Sequence, residues 1–300
     1  MKNKILRRTL LALAVLVLLA ALAVALGHLL GARKAERRID VKVAPLAVPE
    51  GADAIERGRY LYASRGCADC HGADGGGRKF IDGDGLRVIG AHIAAGPGSV
   101  TAAYRVEDRV RAVRHGVKPD GRPVRVMPSE DYNRMTDADL GALVAYVRRL
   151  PPVKGLVAEV TLPLPVRVLY GYGQVQDAAE KIDHALPPAN PVPEGATVEH
   201  GRYVAEMCKG CHGVRLSGGK VPGGPPAWPA AANLTPGSAS GMAAYGDLAA
   251  FAKMMKTGKR ADGSPVAVMP FEALAQLNDV DMAGLHAYLK SLPPLPAGGR

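Results

Sequence analysis

The first thirty residues carry apolar side chains with no helical or strand period. From Thr9 to Leu30 there are 22 residues without a Lys, Arg, Asp or Glu. Lys2, Lys4, Arg7 and Arg8 precede the run, and Arg33, Lys34, Arg37 and Arg38 follow it. As a helix rising ~1.5 Å per residue the run is about 33 Å long, enough to cross a bilayer. A cleavable signal is the alternative, since small-x-small triplets such as Ala21-Leu22-Ala23 occur. Signals usually hold only about 7–15 apolar residues, which favours an uncleaved transmembrane anchor. Further on the pattern turns amphipathic. Gly51 to Ser64 places Ile55, Arg59 and Tyr62 at helical intervals, and Val106 to Arg114 places Val106, Val110 and Val113 on one face. Thr136 to Leu150 is the clearest helix: Thr136 can cap it, Asp137 and Asp139 suit its first turn, and Leu140, Leu143, Val144 and Val147 form a stripe. Pro151 and Pro152 end it. Residues 153–199 are rich in proline. They read as an interdomain arm, with a short strand over Val157 to Leu164, draped over the domains because Val166, Val168, Leu169 and Tyr170 need cover.

The second half repeats the first. His71 to His92 is 21 residues, as is His212 to Asn233, and Tyr104 matches Tyr245 at the same offset of 141. One inserted residue later, Met127-Pro128 matches Met269-Pro270, Asp137 and Asp139 match Asp279 and Asp281, and Leu150-Pro151-Pro152 matches Leu292-Pro293-Pro294. The pattern therefore divides the chain into residues 1–8 before the span, 9–30 the anchor, 31–50 a tether, 51–152 a first domain, 153–199 the arm and 200–300 a second domain.

Each repeat carries one five-residue stretch, Cys67-Ala68-Asp69-Cys70-His71 and Cys208-Lys209-Gly210-Cys211-His212. This is the spacing of c-type haem attachment. On a helical turn, residues three and four apart share a face. Two thiols at i and i+3 can bond the vinyl groups on one haem edge, and the imidazole at i+4 then projects beneath the ring as an iron ligand. A zinc ribbon would set its paired cysteines about 15–20 residues apart, against 137 from His71 to Cys208 (208 minus 71). The two motifs use all four cysteines of the chain, leaving none for a disulfide.

A haem iron with one His has a further axial position, and its occupant separates electron transfer from chemistry on a small molecule. Of nine methionines only Met127 and Met269 correspond under the repeat. Each precedes Pro in an extended segment, 56 (127 minus 71) and 57 (269 minus 212) residues past its His. Met254, Met255 and Met282 read as core filler. His115 and His286 have no counterpart and read as helix-end or surface residues.

The net charge of +10 changes little. Residues 1–40 hold 8 Lys/Arg and 2 Asp/Glu, so 30 basic and 26 acidic residues, a net +4, remain for residues 41–300. There is no basic stripe interleaved with aromatics, and hence no case for nucleic-acid binding. Aromatics make up only 5% of the chain; a haem would supply the flat apolar surface they otherwise provide.

The paired motifs, each with its Met-Pro, resemble class I cytochromes c. The stretch Asn233-Leu234-Thr235-Pro236 resembles a motif in the membrane-bound cytochrome c subunits of bacterial alcohol and sugar dehydrogenases. The resemblance covers roughly residues 52–295. The first repeat departs from it, with His92-Ile93-Ala94 at that place, and a third haem domain found in several such subunits is absent. The resemblance implies a mainly α fold: two tandem class I cytochrome c domains after an N-terminal transmembrane helix, with the first helix of each domain crossing its last. That crossing would bring Tyr60 or Tyr62 to Tyr146, and Tyr203 to Tyr288. It also implies two covalently bound haem c groups with iron held by His71 and Met127, and by His212 and Met269. Arg87 and Trp228, five residues before His92 and Asn233, carry N–H donors suited to haem propionates; packing of a loop is the alternative for Trp228. Asn233 would line the second haem. Family precedent puts covalent haem outside the cytoplasmic membrane, so the chain is expected as a single-pass protein of the cell inner membrane with residues 1–8 cytoplasmic and its haem domains periplasmic. Its expected role is to carry electrons one at a time between redox proteins, a dehydrogenase, an oxidase or a soluble cytochrome, without catalysing bond chemistry. The alternatives are the electron-transfer subunit of a membrane-bound dehydrogenase complex and a dihaem peroxidase-like oxidoreductase.

Overall fold

The structure is a computed structural model and describes residues 2–225 and 227–299. Helix α1 (Lys2–Ala35) runs one turn beyond the apolar stretch, with its side chains from Asn3 to Leu26 exposed. The segment after it is bound rather than loose. Ile39 N–H donates to Gly121 O at 2.9 Å, Val41 is buried, and Val43, Leu46 and Val48 lie on the first domain's core.

The first domain comprises α2 (Ala52–Ser64), α3 (Cys67–His71), a hairpin of β1 (Lys79–Gly83) and β2 (Leu86–Ile89), α4 (Val106–His115), a 3-10 turn at Ser129–Asp131 and α5 (Asp137–Arg149). Helix α5 forms as the pattern predicts: Thr136 Oγ1 accepts the Asp139 N–H, and Leu140, Leu143, Val144 and Val147 are all buried. Each such side chain removed from water contributes roughly 1.5–3 kcal/mol. Helices α2 and α5 cross with backbones nearly touching, since a Cβ on Gly58 would stand 2.1 Å from Ala142 O. The crossing brings Tyr62 to Tyr146, ring centroids 5.5 Å apart.

The arm lies on the first domain. Its strand β3 (Glu159–Thr161) is shorter than the pattern suggests and pairs antiparallel with β2, setting Arg87 opposite Thr161 in a sheet of order β1-β2-β3. Helix α6 (Leu164–Gly171) and the single turn α7 (Ala178–Lys181) follow. The second domain repeats the plan with α8 (Val198–Val204), a 3-10 turn at Ala205–Cys208, α9 (Lys209–His212), α10 (Leu248–Thr257), α11 (Phe271–Leu274) and α12 (Asp279–Ser291). Helices α8 and α12 cross as tightly as α2 and α5: a Cβ on Gly201 would stand 1.8 Å from Gly284 O.

These glycines fix the register of the repeat. Gly58 and Gly201 are 143 apart, Ala142 and Gly284 are 142 apart, yet the two His of the motifs are 141 apart. The first domain thus has two more residues between its first helix and its motif. Tyr60, not Tyr62, is the counterpart of Tyr203. Both point out of their own domain. Tyr60 Oη donates to Asp281 Oδ2 and Tyr203 Oη to Asp139 Oδ2, each at 2.6 Å. The expectation that Tyr203 meets Tyr288 is corrected by this two-residue shift. Such exchange of like contacts is the mark of a twofold relation between the domains. His115 does end helix α4, as expected, but neither it nor His286, inside α12, is a surface residue. Both are buried: His115 Nδ1 lies 3.2 Å from His184 Nδ1, and His286 Nε2 lies 2.8 Å from Tyr245 O.

Candidate functional site

The chain folds each Cys-x-x-Cys-His stretch into a single helical turn closed by glycine. Gly72 (φ 77°, ψ 156°) and Gly213 (φ 80°, ψ 160°) end the turns, and their N–H groups donate to Ala68 O and Lys209 O at 2.9 and 2.8 Å. Positive φ is open to glycine at little cost. Gly77 and Gly218, again at positive φ, donate their N–H groups back to the carbonyls of His71 and His212 at 2.7 and 2.9 Å. Two different sequences thus arrive at one hydrogen-bond pattern.

The imidazoles are oriented alike. His71 Nδ1 lies 2.7 Å from Ala91 O and His212 Nδ1 lies 2.8 Å from Ala232 O. A carbonyl at Nδ1 fixes the proton there and leaves Nε2 as the nitrogen that would meet a metal. None of the four cysteines is in a disulfide; Cys211 is exposed and Cys67, Cys70 and Cys208 are partly exposed. Burial pushes the Cys67 and Cys208 thiols up to about 12 and Cys70 to about 11. Thiols kept protonated are poor thiolate ligands for a metal ion.

The methionine loops also match. Pro128 (φ −82°, ψ 63°) and Pro270 (φ −79°, ψ 67°) share one backbone conformation, and Ser129 and Phe271 each donate N–H to the Met carbonyl two residues before, both at 2.9 Å. Met127 and Met269 are both partly buried. The loops differ just upstream, where Val268 takes φ 73°, a conformation β-branched residues rarely adopt.

Position 92 marks a further difference. Asn233 is held from both ends: its amide donates to Leu295 O at 2.7 Å, and its Oδ1 accepts from Thr235 N and Oγ1 at 2.9 and 2.8 Å. His92 is wholly buried, and neither ring nitrogen has a hydrogen-bond partner among the described residues. The threonine that would bond it is replaced by Ala94. Arg87 lies in the sheet within 3.8 Å of Asp82 and 3.5 Å of Glu159. Trp228 is exposed and packs over Gly224.

Sequence reasoning missed how the motifs are placed. Each abuts the turn that follows the other domain's Met-Pro. Gly210 N–H donates to Asp131 Oδ1 at 3.0 Å, a Cβ on Gly66 would touch Ala273, and Arg78 pairs with Glu272 at 2.5 Å. Burial pushes the Asp131 carboxyl up to about 7. Arg65 lies beside Cys67 and its charge also reaches Cys208. Only the repeat register, unread at the residues before the motif, could have pointed to this arrangement.

Two family models match the chain. Residues 53–147 match "Cytochrome C oxidase, cbb3-type, subunit III" and residues 198–293 match "Cytochrome c". The chain carries two cytochrome c domains. Among curated relatives, it is 28% identical over 277 residues to the fructose dehydrogenase cytochrome subunit of Gluconobacter japonicus, covering 82% of the chain and 54% of that protein. It is 26% identical to the gluconate 2-dehydrogenase cytochrome c subunit of Pantoea cypripedii, covering 83% and 62%. It is 25% identical to a diheme cytochrome c-type protein of Cereibacter sphaeroides, covering 80% and 86%. The chain therefore spans little more than half the length of the first two. It is a mostly helical protein with two covalently bound haem c groups, and its two matching turns, each with an oriented His, fit such a group.

Proposed function

We propose that Cys67 and Cys70 would attach the first haem and Cys208 and Cys211 the second, with His71 and Met127, and His212 and Met269, as the residues that would hold the two irons. A haem bound at each site would supply one iron able to hold or release a single electron. The chain's own residues do the rest. Ala91 O and Ala232 O hold the imidazoles with Nε2 forward. The Met-Pro loops present a thioether from a stiff backbone, which favours the ferrous state relative to a second imidazole. The docked domains keep both attachment turns at one interface, so that an electron entering one domain has a fixed route to the other.

The proposed role is that of a membrane-tethered electron-transfer partner of a dehydrogenase, with α1 crossing the cell inner membrane and the haem domains on the periplasmic side. The length and apolarity of α1 support the tether, and the relatives support the class of partner, being cytochrome subunits of fructose and gluconate dehydrogenases. One observation carries the electron-transfer reading over a peroxidase-like one. Both repeats keep Met-Pro at matching register and in the same backbone conformation, whereas a peroxide site needs one iron with an open sixth position.

The test is gentle solubilisation of the membrane and capture of the intact chain. A dehydrogenase should accompany it, and that dehydrogenase's substrate should reduce both haems. Peroxide turnover by the half-reduced protein, with loss of one Met–iron charge-transfer band, would contradict the assignment.

A further inference from the structure

Helix α6 packs on the membrane span itself. The contact is made by Gly27 and Gly31, a small-xxx-small pair of the kind that lets apolar helices approach closely. Both are buried on a helix whose other faces are open. A Cβ on Gly171 would stand 2.0 Å from Gly27 O and 2.7 Å from Gly31 N, and one on Gly31 would stand 2.5 Å from Arg167 O. Val168 and Tyr172 lie against Gly27, and Tyr172 Oη donates to Ala23 O at 2.6 Å. The order of these contacts shows that α6 descends along α1, from Arg167 beside Gly31 to Tyr172 beside Ala23.

Depth follows from helix geometry. Gly27 lies seven residues before Lys34 and Ala23 eleven, about 10 and 16 Å along the axis. Sliding α1 outward until Ala23 met water would leave residues 9–22 to cross the bilayer. Those 14 residues reach about 21 Å, short of the ~30 Å hydrocarbon core. An element seated on Ala23 and Gly27 must share their depth.

We propose that α6 is a second membrane contact, inserted into the leaflet at the C-terminal end of α1, with lipid acyl chains covering its outer face. The inference rests on α1 spanning the bilayer. Leu164 and Leu169 are exposed on α6 by 44 and 43%, and Tyr172, just past its end and seated on α1, is still exposed by 43%; these are apolar or interfacial side chains. Backbone polar groups left open in lipid are costly, and the end of α6 leaves few. Val168 O accepts from Tyr172 N, Leu169 O from Gln174 N, and Tyr170 O from Gly173 N and Lys34 Nζ. Of the charged groups, Arg167 is exposed on α6 at the level of Gly31, where a long side chain can reach up to the interface, and the others gather above the insertion. Arg37 Nη1 pairs with Asp177 at 2.7 Å, Lys34 pairs with Glu180 at 2.8 Å, and Tyr170 Oη donates to Asp177 at 2.5 Å. The haem domains are then held at a fixed height and orientation on the membrane rather than swinging on a tether.

The test uses the full haem-loaded chain in lipid nanodiscs containing a phospholipid with a photoactivatable diazirine on its acyl chain. Adducts are mapped by peptide mass spectrometry. Peptide 168–181 should be labelled together with α1, on the order of ten times more often than the exposed loop around Ala261. Labelling of α1 with peptide 168–181 no higher than that loop would overturn the insertion and leave the span intact. No labelling of α1 would overturn the span and the insertion together.

Discussion

Tyr60 of the first domain donates its hydroxyl to Asp281 of the second at 2.6 Å, and Tyr203 of the second donates to Asp139 of the first at the same distance. The exchange extends to the helix caps: the N–H groups of Thr136 and Asn278, the N-caps of α5 and α12, reach Tyr203 Oη and Tyr60 Oη, both at 3.3 Å. The halves differ in what else the carboxylates hold. Asp281 takes Arg65 at 2.7 Å and His200 at 2.7 Å, with side-chain exposures of 8% for Arg65 and 1% for Asp281. Asp139 takes Arg57, which is more open and also pairs with Glu194. Asp281→Ala leaves Arg65 buried without its partner and should cost about 3–5 kcal/mol. Asp139→Ala should cost less, about 1–3 kcal/mol, because Arg57 keeps Glu194. Denaturant unfolding of the two variants checks the order.

The same carboxylate gives a pH dependence. Burial alone would raise the Asp281 carboxyl, but the charge of Arg65 and the hydrogen bonds from Tyr60, Arg65 and His200 outweigh it and hold the group below its ordinary value. A carboxyl depressed on folding contributes stability that is present above its unfolded value, near ~4, and is lost as pH falls through the folded value. Acid titration of the wild type should therefore show loss of stability below about pH 4, and Asp281→Asn should flatten that part of the curve.

The helix crossings are fixed by glycine rather than by apolar area. Gly58→Ala and Gly201→Ala each push a methyl into backbone carbonyl, so the helices must part. Each should cost about 1–3 kcal/mol in thermal unfolding, whereas Gly51→Ala, where a Cβ meets nothing within 4 Å, should be near neutral.

Met127→Ala and Met269→Ala should each open one iron to carbon monoxide, seen in the reduced spectrum, while the other stays closed. An unchanged spectrum in either variant would remove that methionine from the axial position.

Much of this was legible in the sequence because it is local. The motif turns, the capped α5 and the Met-Pro loops depend on neighbours within a few residues, and each formed where the pattern placed it. Tyr60, Tyr203 and Asp281 were not legible. Their partners are more than sixty residues away, and the two-residue difference between α2 and α8 hid the equivalence of the tyrosines. The role of α6 was equally hidden. Its proline-rich surroundings suggested a draped arm, and only the approach of Gly171 to Gly27 shows which surface it lies on.

The central claim is that two haems are bonded to this chain through Cys67, Cys70, Cys208 and Cys211. Thioethers do not exchange, so the haems should survive denaturation. The most direct measurement is the intact mass, in denaturant, of the chain produced in a host that matures cytochromes c. The wild type should carry two haem increments, and the Cys67→Ser/Cys70→Ser and Cys208→Ser/Cys211→Ser variants one each. A denatured wild-type chain at the bare polypeptide mass would contradict the account.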